Sequence, residues 1–192
     1  MSRLERALVV VAQFLAQHQV PYMVIGGIAN IMWGVPRTTL DVDVTIWVAE
    51  DTLESFTALA TQTFSSRVPN PTAFVKETRV LPLKTPEGVR VDLIFGQLPY
   101  QQEAVQRAAR RPIQGVEVYV CRPEDLVLHK LVSERPRDRD DVRGVIQQQG
   151  SRLDRAYLDP RVAALAHELD RPDIQAWYEQ CLREAPASCC SG

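Results

Sequence analysis

The sequence is poor in the features that assign a protein quickly. Its four cysteines, Cys121, Cys181, Cys189 and Cys190, include no C-x-x-C pair, so neither a zinc motif nor a disulfide framework is indicated. That favours a reduced, cytoplasmic setting. Neither charge is in excess: 22 basic against 24 acidic side chains leave a net charge of −2. The chain as a whole therefore exerts no pull toward nucleic acid or an anionic membrane, and any RNA contact would need a local basic patch. No apolar run approaches the ~18–20 residues that span a bilayer, so a membrane helix is not expected. The apolar stretch Ala7 to Ala16 follows Arg3 and Arg6, but Glu5, Gln13 and the lack of a small-residue cleavage site argue against a secretion signal. Leu4, Leu8, Val11 and Leu15 recur instead at helical spacing. There is no internal repeat and no low-complexity tract.

What is present reads as a globular α/β (α+β) chain. At 192 residues it has room for one core and a small appended domain. After the opening helix, Pro21 breaks the pattern and Tyr22 to Ile25 reads as a buried strand. A short helix over Gly27 to Trp33 ends at Gly34 and Pro36, and Leu40 to Val48 is a second strand. Asp51 and Glu54 open a helix running to about Phe64. Ser65 to Ala73, with two prolines, reads as a loop. Val80 to Lys84 and Val89 to Phe95 flank a turn at Thr85-Pro86-Glu87-Gly88. Gln101 to Arg110 looks helical and Val116 to Cys121 extended. From Pro123 onward only helices are expected: one opened by Pro123, Glu124 and Asp125, then Arg139 to Gln149, Leu153 to Leu169 and Asp173 to Arg183. The expected domains are a core over 1–121, a helical domain over 122–187 and a disordered tail over 188–192.

The most informative stretch is Ile25-Gly26-Gly27, then thirteen residues, then Asp41-Val42-Asp43-Val44. Alternate strand residues share a face, so Asp41 and Asp43 stand together, roughly 7 Å apart. Asp92 lies in another apolar strand, Val91-Asp92-Leu93-Ile94-Phe95. Clustered carboxylates repel, by roughly 4 kcal/mol for charges about 4 Å apart at an effective dielectric near 20, unless a cation neutralises them. Their oxygens favour hard ions, Mg²⁺ or Mn²⁺. Such ions could clamp a nucleoside triphosphate, with Asp92 placed as general base for an incoming hydroxyl. Gly26 and Gly27 would let backbone N–H groups approach phosphate, helped by the start of the following helix. Arg37, Thr38 and Lys130 are further candidate phosphate ligands.

These residues together resemble the signature of the polymerase-beta-like nucleotidyltransferase superfamily. The pattern Gly26-Gly27-Ile28-Ala29, Gly34-x2-Arg37-Thr38-x2-Asp41-x-Asp43 is similar to a small prokaryotic branch that includes abortive-infection (AbiEii-type) nucleotidyltransferase toxins. Asp125-Leu126-x3-Lys130 and Arg137-Asp138-x2-Asp141-Val142 match a second motif of that branch. The resemblance spans about Tyr22 to Val145. It implies a small mixed sheet flanked by helices, a helical C-terminal segment and Mg²⁺-dependent transfer of an NMP from ATP, GTP or another NTP. Asp41, Asp43 and Asp92 would be metal ligands and catalytic groups. RNA (including tRNA), protein or a small molecule would be the acceptor, and a cognate antitoxin a partner if the chain is a toxin.

Plainer readings stand beside these. A lone D-x-D is usually a solvated strand face, and a glycine pair usually just a tight turn. A helix-face lysine explains Lys130 about as well as a phosphate contact. The run of aspartates and arginines from Arg135 to Arg143 reads first as salt-bridged, with Asp141 the one to turn inward, toward Lys130 or an arginine. His129 lacks a ligand set, and Trp33 and Trp47 read as core. The alternative class is a non-catalytic nucleotide-binding or regulatory module of a toxin–antitoxin-type pair; a third is an RNA binder using the Arg135 to Arg143 stretch.

Overall fold

In a computed structural model the described residues are 2–133 and 135–185. The expected tail 188–192, with Cys189 and Cys190, and the last two residues of the expected helical domain lie outside them. The chain divides into two compact units, one of residues 1–28 and 38–121, the other of residues 29–37 and 122–192.

Going along the chain, the elements before residue 122 are α1 (Arg3–Gln17), β1 (Tyr22–Val24), α2 (Gly26–Trp33), β2 (Asp41–Ile46) and α3 (Leu53–Thr63), then β3 (Ser65–Ser66), α4 (Pro71–Thr78), β4 (Val80–Lys84), β5 (Arg90–Phe95), α5 (Pro99–Gln106), β6 (Ala109–Ile113) and β7 (Val116–Val120). All seven strands belong to the first unit and form one mixed sheet in the order β3-β4-β5-β2-β1-β7-β6. The pairs β2/β5 and β1/β7 are parallel and the others antiparallel. The mixed α/β architecture is that expected of a nucleotidyltransferase fold.

Alternation decides which sheet face is covered. Val42, Val44 and Ile46 of β2, and Val91, Leu93 and Phe95 of β5, are buried, while Asp41, Asp43 and Asp92 are half-buried on the opposite face. α1 starts on a capping box: Ser2 Oγ accepts from the Glu5 N–H at 3.1 Å and the Glu5 carboxylate accepts from the Ser2 N–H at 2.7 Å. Its Ala7, Leu8, Val11, Phe14 and Leu15 are buried. Phe14 meets the rings of Phe56 and Phe64, and Phe56 meets Phe95.

Two segments differ from the sequence expectation. Ser65 to Ala73 is not a plain loop: it holds the short strand β3 and the start of α4, where Asn70 caps the Ala73 N–H at 3.2 Å and Pro71 takes the first helical position. The proline read as a breaker is an initiator, because its missing N–H has no partner to lose there. The helix expected over Gln101 to Arg110 stops at Gln106, and Ala109–Ile113 pairs antiparallel with β7. A turn with positive φ at both Gln114 and Gly115 closes that hairpin, and the ladder it permits outweighs local helical preference.

The second unit holds residues 29–37 and four helices, α6 (Pro123–Leu131), α7 (Pro136–Gln149), α8 (Arg155–Glu168) and α9 (Pro172–Glu184). α6, α7 and α9 each begin with proline. Leu126, Val142, Val145, Ile146, Leu158, Val162, Ile174 and Cys181 are buried. Glu124 accepts from the Asp154 N–H at 2.9 Å, and the Tyr157 hydroxyl donates to Asp125 at 2.8 Å, so both acids of the first α6 turn are buried with partners. Among the described residues no helix is long and apolar enough to cross a membrane.

Burial, reinforced by the neighbouring Lys130 charge, pushes the His129 imidazole down to about 4. Its folded pKa lies below the unfolded value near 6.5, so the unfolded chain binds more protons between the two. Stability from this ring is therefore present above about pH 6.5 and lost as the pH falls toward 4, by at most about 3 kcal/mol. Urea unfolding of the wild type and His129→Gln at pH 7 and pH 5 checks this. The wild type should lose more stability than the variant on acidification, and equal losses would remove His129 from the account.

Candidate active site

The acids are brought together by strand register. In the parallel ladder Asp41 pairs with Arg90 and Asp43 with Asp92, so Asp43 and Asp92 are direct neighbours across the strands and Asp41 follows on the same face. Asp43 and Asp92 thus stand about one strand spacing, roughly 4.8 Å, apart at the backbone. Gly26 lies against Asp43: it has φ +64°, and a Cβ there would run into the Asp43 carboxylate. A Cβ on Gly27 would strike the Thr39 side chain. Only glycines let the chain bend between β1 and α2 this close to the acids. The Ile25 N–H, donating to the Asp43 carbonyl at 2.9 Å, ties the bend to β2.

Two cations contact the acidic row. Arg67 donates from Nη1 to Asp92 Oδ1 at 2.8 Å, and Arg90 Nη2 lies 3.7 Å from Asp41 Oδ2. The Thr39 hydroxyl donates to Asp41 Oδ1 at 3.1 Å. Among the described residues no three His, Cys, Asp or Glu side chains are gathered into a ready-made metal cage. The donor set nonetheless suits a hard divalent ion. Magnesium is ordinarily held by one or two carboxylates completed by substrate phosphates and water, and the row offers neighbouring carboxylates beside a bend no side chain fills.

Thr38, a candidate phosphate ligand, is exposed just before β2. The other two candidates, Arg37 and Lys130, belong to the second unit and are both engaged by one carboxylate. Asp141, 5% exposed, accepts from Arg37 Nε and Nη2 at 2.9 and 2.8 Å and lies 2.6 Å from Lys130 Nζ. Lys130 also meets Asp138 at 2.7 Å, and Asp138 accepts from the Ser133 hydroxyl at 2.6 Å. Burial raises the Asp141 carboxyl, but the bonds and charges of Arg37 and Lys130 outweigh it and hold the group below the usual carboxylate range. Asp138 is likewise held low, burial being outweighed by Lys130 and Ser133.

Sequence reading passed over Thr39, Arg67 and Arg90. Thr39 shares the alternation of Asp41 and Asp43, and Arg90 lies two residues before Asp92, so both had a strand-period signal. Arg67 had none; it reaches Asp92 across 25 residues, through its N–H to the Pro82 carbonyl at 2.9 Å.

The fold and the acidic row define a nucleotidyltransferase-like α/β protein. The model of the family described as "Nucleotidyl transferase of unknown function (DUF2204)" matches residues 4–180, and the chain belongs to that family. It is a nucleotidyltransferase. The solved structures that resemble it include two that cover most of the chain. One is an antigenic nucleotidyltransferase-like protein from Paracoccidioides brasiliensis, with TM-score 0.53 and 21% identity, covering 92% of each chain. The other is ANT(2")-Ia in complex with adenylyl-2"-tobramycin, with TM-score 0.51 and 13% identity, covering 87% of this chain and 98% of that one. At these identities the likeness is one of fold. No curated protein sequence matches the chain.

Two substitutions test the site as a structure. Gly26→Ala should displace Asp43 and lower the melting temperature by several degrees, about 1–3 kcal/mol for a side chain forced into a left-handed, crowded position; an unchanged melting curve would mean the bend is not constrained. Asp141→Asn leaves the buried Lys130 charge short of a partner and should cost about 3 kcal/mol in urea unfolding, whereas a loss under about 1 kcal/mol would class the network with surface pairs.

Proposed function

We propose that this protein is a Mg²⁺-dependent nucleotidyltransferase (Mn²⁺ substituting) that moves an NMP from a nucleoside triphosphate to an acceptor hydroxyl. The observation that carries the reading is the register pairing of Asp43 with Asp92, with Asp41 on the same face and the Gly26-Gly27 bend against Asp43. In the proposal Asp41, Asp43 and Asp92 are the metal ligands, and residues 1–121 are the catalytic core. When bound, the metal ion supplies Lewis acidity at the transferring phosphoryl group and offsets its developing charge.

The chain's own groups do the rest. Backbone N–H groups at Gly26 and Gly27, with the Thr38 hydroxyl, receive phosphate oxygens. The acceptor oxygen forms a bond to the α-phosphorus, the bond from that phosphorus to the bridging oxygen breaks, and pyrophosphate leaves. Asp92 takes the hydroxyl proton, so it must release Arg67 to act as base. Arg37 and Lys130 enter the proposal as phosphate ligands on one condition: phosphate must compete with Asp141 for them.

A second reading, nucleotide binding without turnover, has one observation in its favour, the occupation of Asp92 by Arg67. A role as a toxin under a cognate antitoxin is a biological setting for either reading, supported so far by motif resemblance alone. The deciding experiment uses α-³²P nucleoside triphosphates with a mixture of RNA, protein and small-molecule acceptors. The wild type should label an acceptor only with Mg²⁺ or Mn²⁺ present. Asp41→Asn combined with Asp43→Asn should reduce labelling by at least about a thousandfold while leaving the fold intact by circular dichroism. Labelling that survives the double substitution defeats the proposal.

A further inference from the structure

We propose that the acceptor carries a phosphate group beside its reacting hydroxyl, and that Arg67, with Lys84 and Arg90, receives it. This rests on the transferase reading above and adds the chemical class of its second substrate. Register places these residues in two ranks on one sheet face. In one rank Ser65 pairs with Lys84, Lys84 with Arg90 and Arg90 with Asp41. In the other, the Arg67 N–H bonds to Pro82, Pro82 pairs with Asp92 and Asp92 with Asp43, which lies against Gly26. Directly paired residues share a face, so the order along the second rank is Arg67, Asp92, Asp43, Gly26.

The acids therefore separate two different surroundings. On one flank is the side-chain-free bend to which the triphosphate is assigned. On the other are three cations and the base. An acceptor giving its proton to Asp92 comes in on that second flank. Arg67 lies 2.8 Å from Asp92, so groups next to the reacting hydroxyl fall within reach of the guanidinium.

The cations have capacity to spare. Arg67 uses one nitrogen on Asp92 and has no other side-chain partner among the described residues. A guanidinium has five N–H donors in a planar fork that suits phosphate. Lys84 is exposed and has no ion pair among the described residues. When Asp92 turns to its catalytic work, Arg67 loses a carboxylate and a phosphate replaces it, so no buried charge is stranded. A cationic acceptor would meet three like charges there.

The test uses the full chain with Mg²⁺ and labelled nucleoside triphosphate. Four acceptors are compared: a three-residue oligoribonucleotide, ribose 5-phosphate, an unphosphorylated ribonucleoside and tobramycin. One or both of the phosphate-bearing acceptors should be labelled, which also separates a phosphodiester from a monoester source, and the other two should be at least about tenfold poorer. Binding is read separately, by fluorescence anisotropy of a 3′-deoxy-terminated oligoribonucleotide and by competition with ribose 5-phosphate. Arg67→Ala should raise the acceptor KM and weaken whichever of these probes binds by about tenfold, with the nucleotide KM unchanged and partial recovery in Arg67→Lys. Lys84→Ala should weaken binding less and flatten its salt dependence. Labelling of the nucleoside or tobramycin as readily as the phosphorylated acceptors, or an unchanged acceptor KM and probe affinity in Arg67→Ala, overturns the inference. If phosphorylated probes bind through Arg67 and nothing is labelled, the transferase reading fails while the phosphate site stands.

Discussion

The parallel pairing of β2 with β5 is the constraint from which the rest of the site follows. It puts Asp43 beside Asp92 with Asp41 next along the same face. Ionised carboxylates at about 5 Å repel by roughly 3 kcal/mol at an effective dielectric near 20, so the arrangement calls for positive charge. The chain supplies it with Arg67 on Asp92 and Arg90 beside Asp41. These pairs are only partly buried, and exchanging an arginine for another cation costs little by comparison with a buried ion pair. The row is consequently stable without being locked.

The second unit handles charge differently. Asp141 is almost fully buried and serves two cations at once, while Asp138 shares one of them. Truncating any member strands a charge in a poorly solvated place, so this network resists change where the acidic row invites it. The two motifs that pointed to nucleotide chemistry thus have different physical characters. One is an open row of neutralised acids; the other is a closed cluster of two acids, one lysine and one arginine.

The family establishes nucleotidyl transfer in general terms and leaves the acceptor open. Fold similarity at 13–21% identity carries no information on the acceptor. In the proposed reading acceptors are discriminated by the charge of the flank they cross, where register places Arg67, Lys84 and Arg90. Strand register, more than overall fold, is the property from which acceptor chemistry can be argued.

Much of this was legible in the residues themselves. Period-two alternation identified β2 and β5 and put Asp41 and Asp43 on one face, because strand geometry allows no other outcome for residues two apart. The apolar spacing of Leu8, Val11 and Leu15 identified α1, and Pro123 with Glu124 and Asp125 identified the start of α6. Asp141 could be singled out as the inward aspartate, though not that Arg37 would join Lys130 there. Asn70 and Pro71 are a local helix start that the loop reading passed over, but local signals failed where other strands decide: Ala109–Ile113 is a strand only because β7 lies beside it. The approach of Arg67 to Asp92 was invisible for the same reason. A sequence records which side chains share a face of one element, since that depends on local backbone geometry alone; which elements lie side by side, and so which charges meet, depends on the packing of the whole sheet and could be known only from the folded chain.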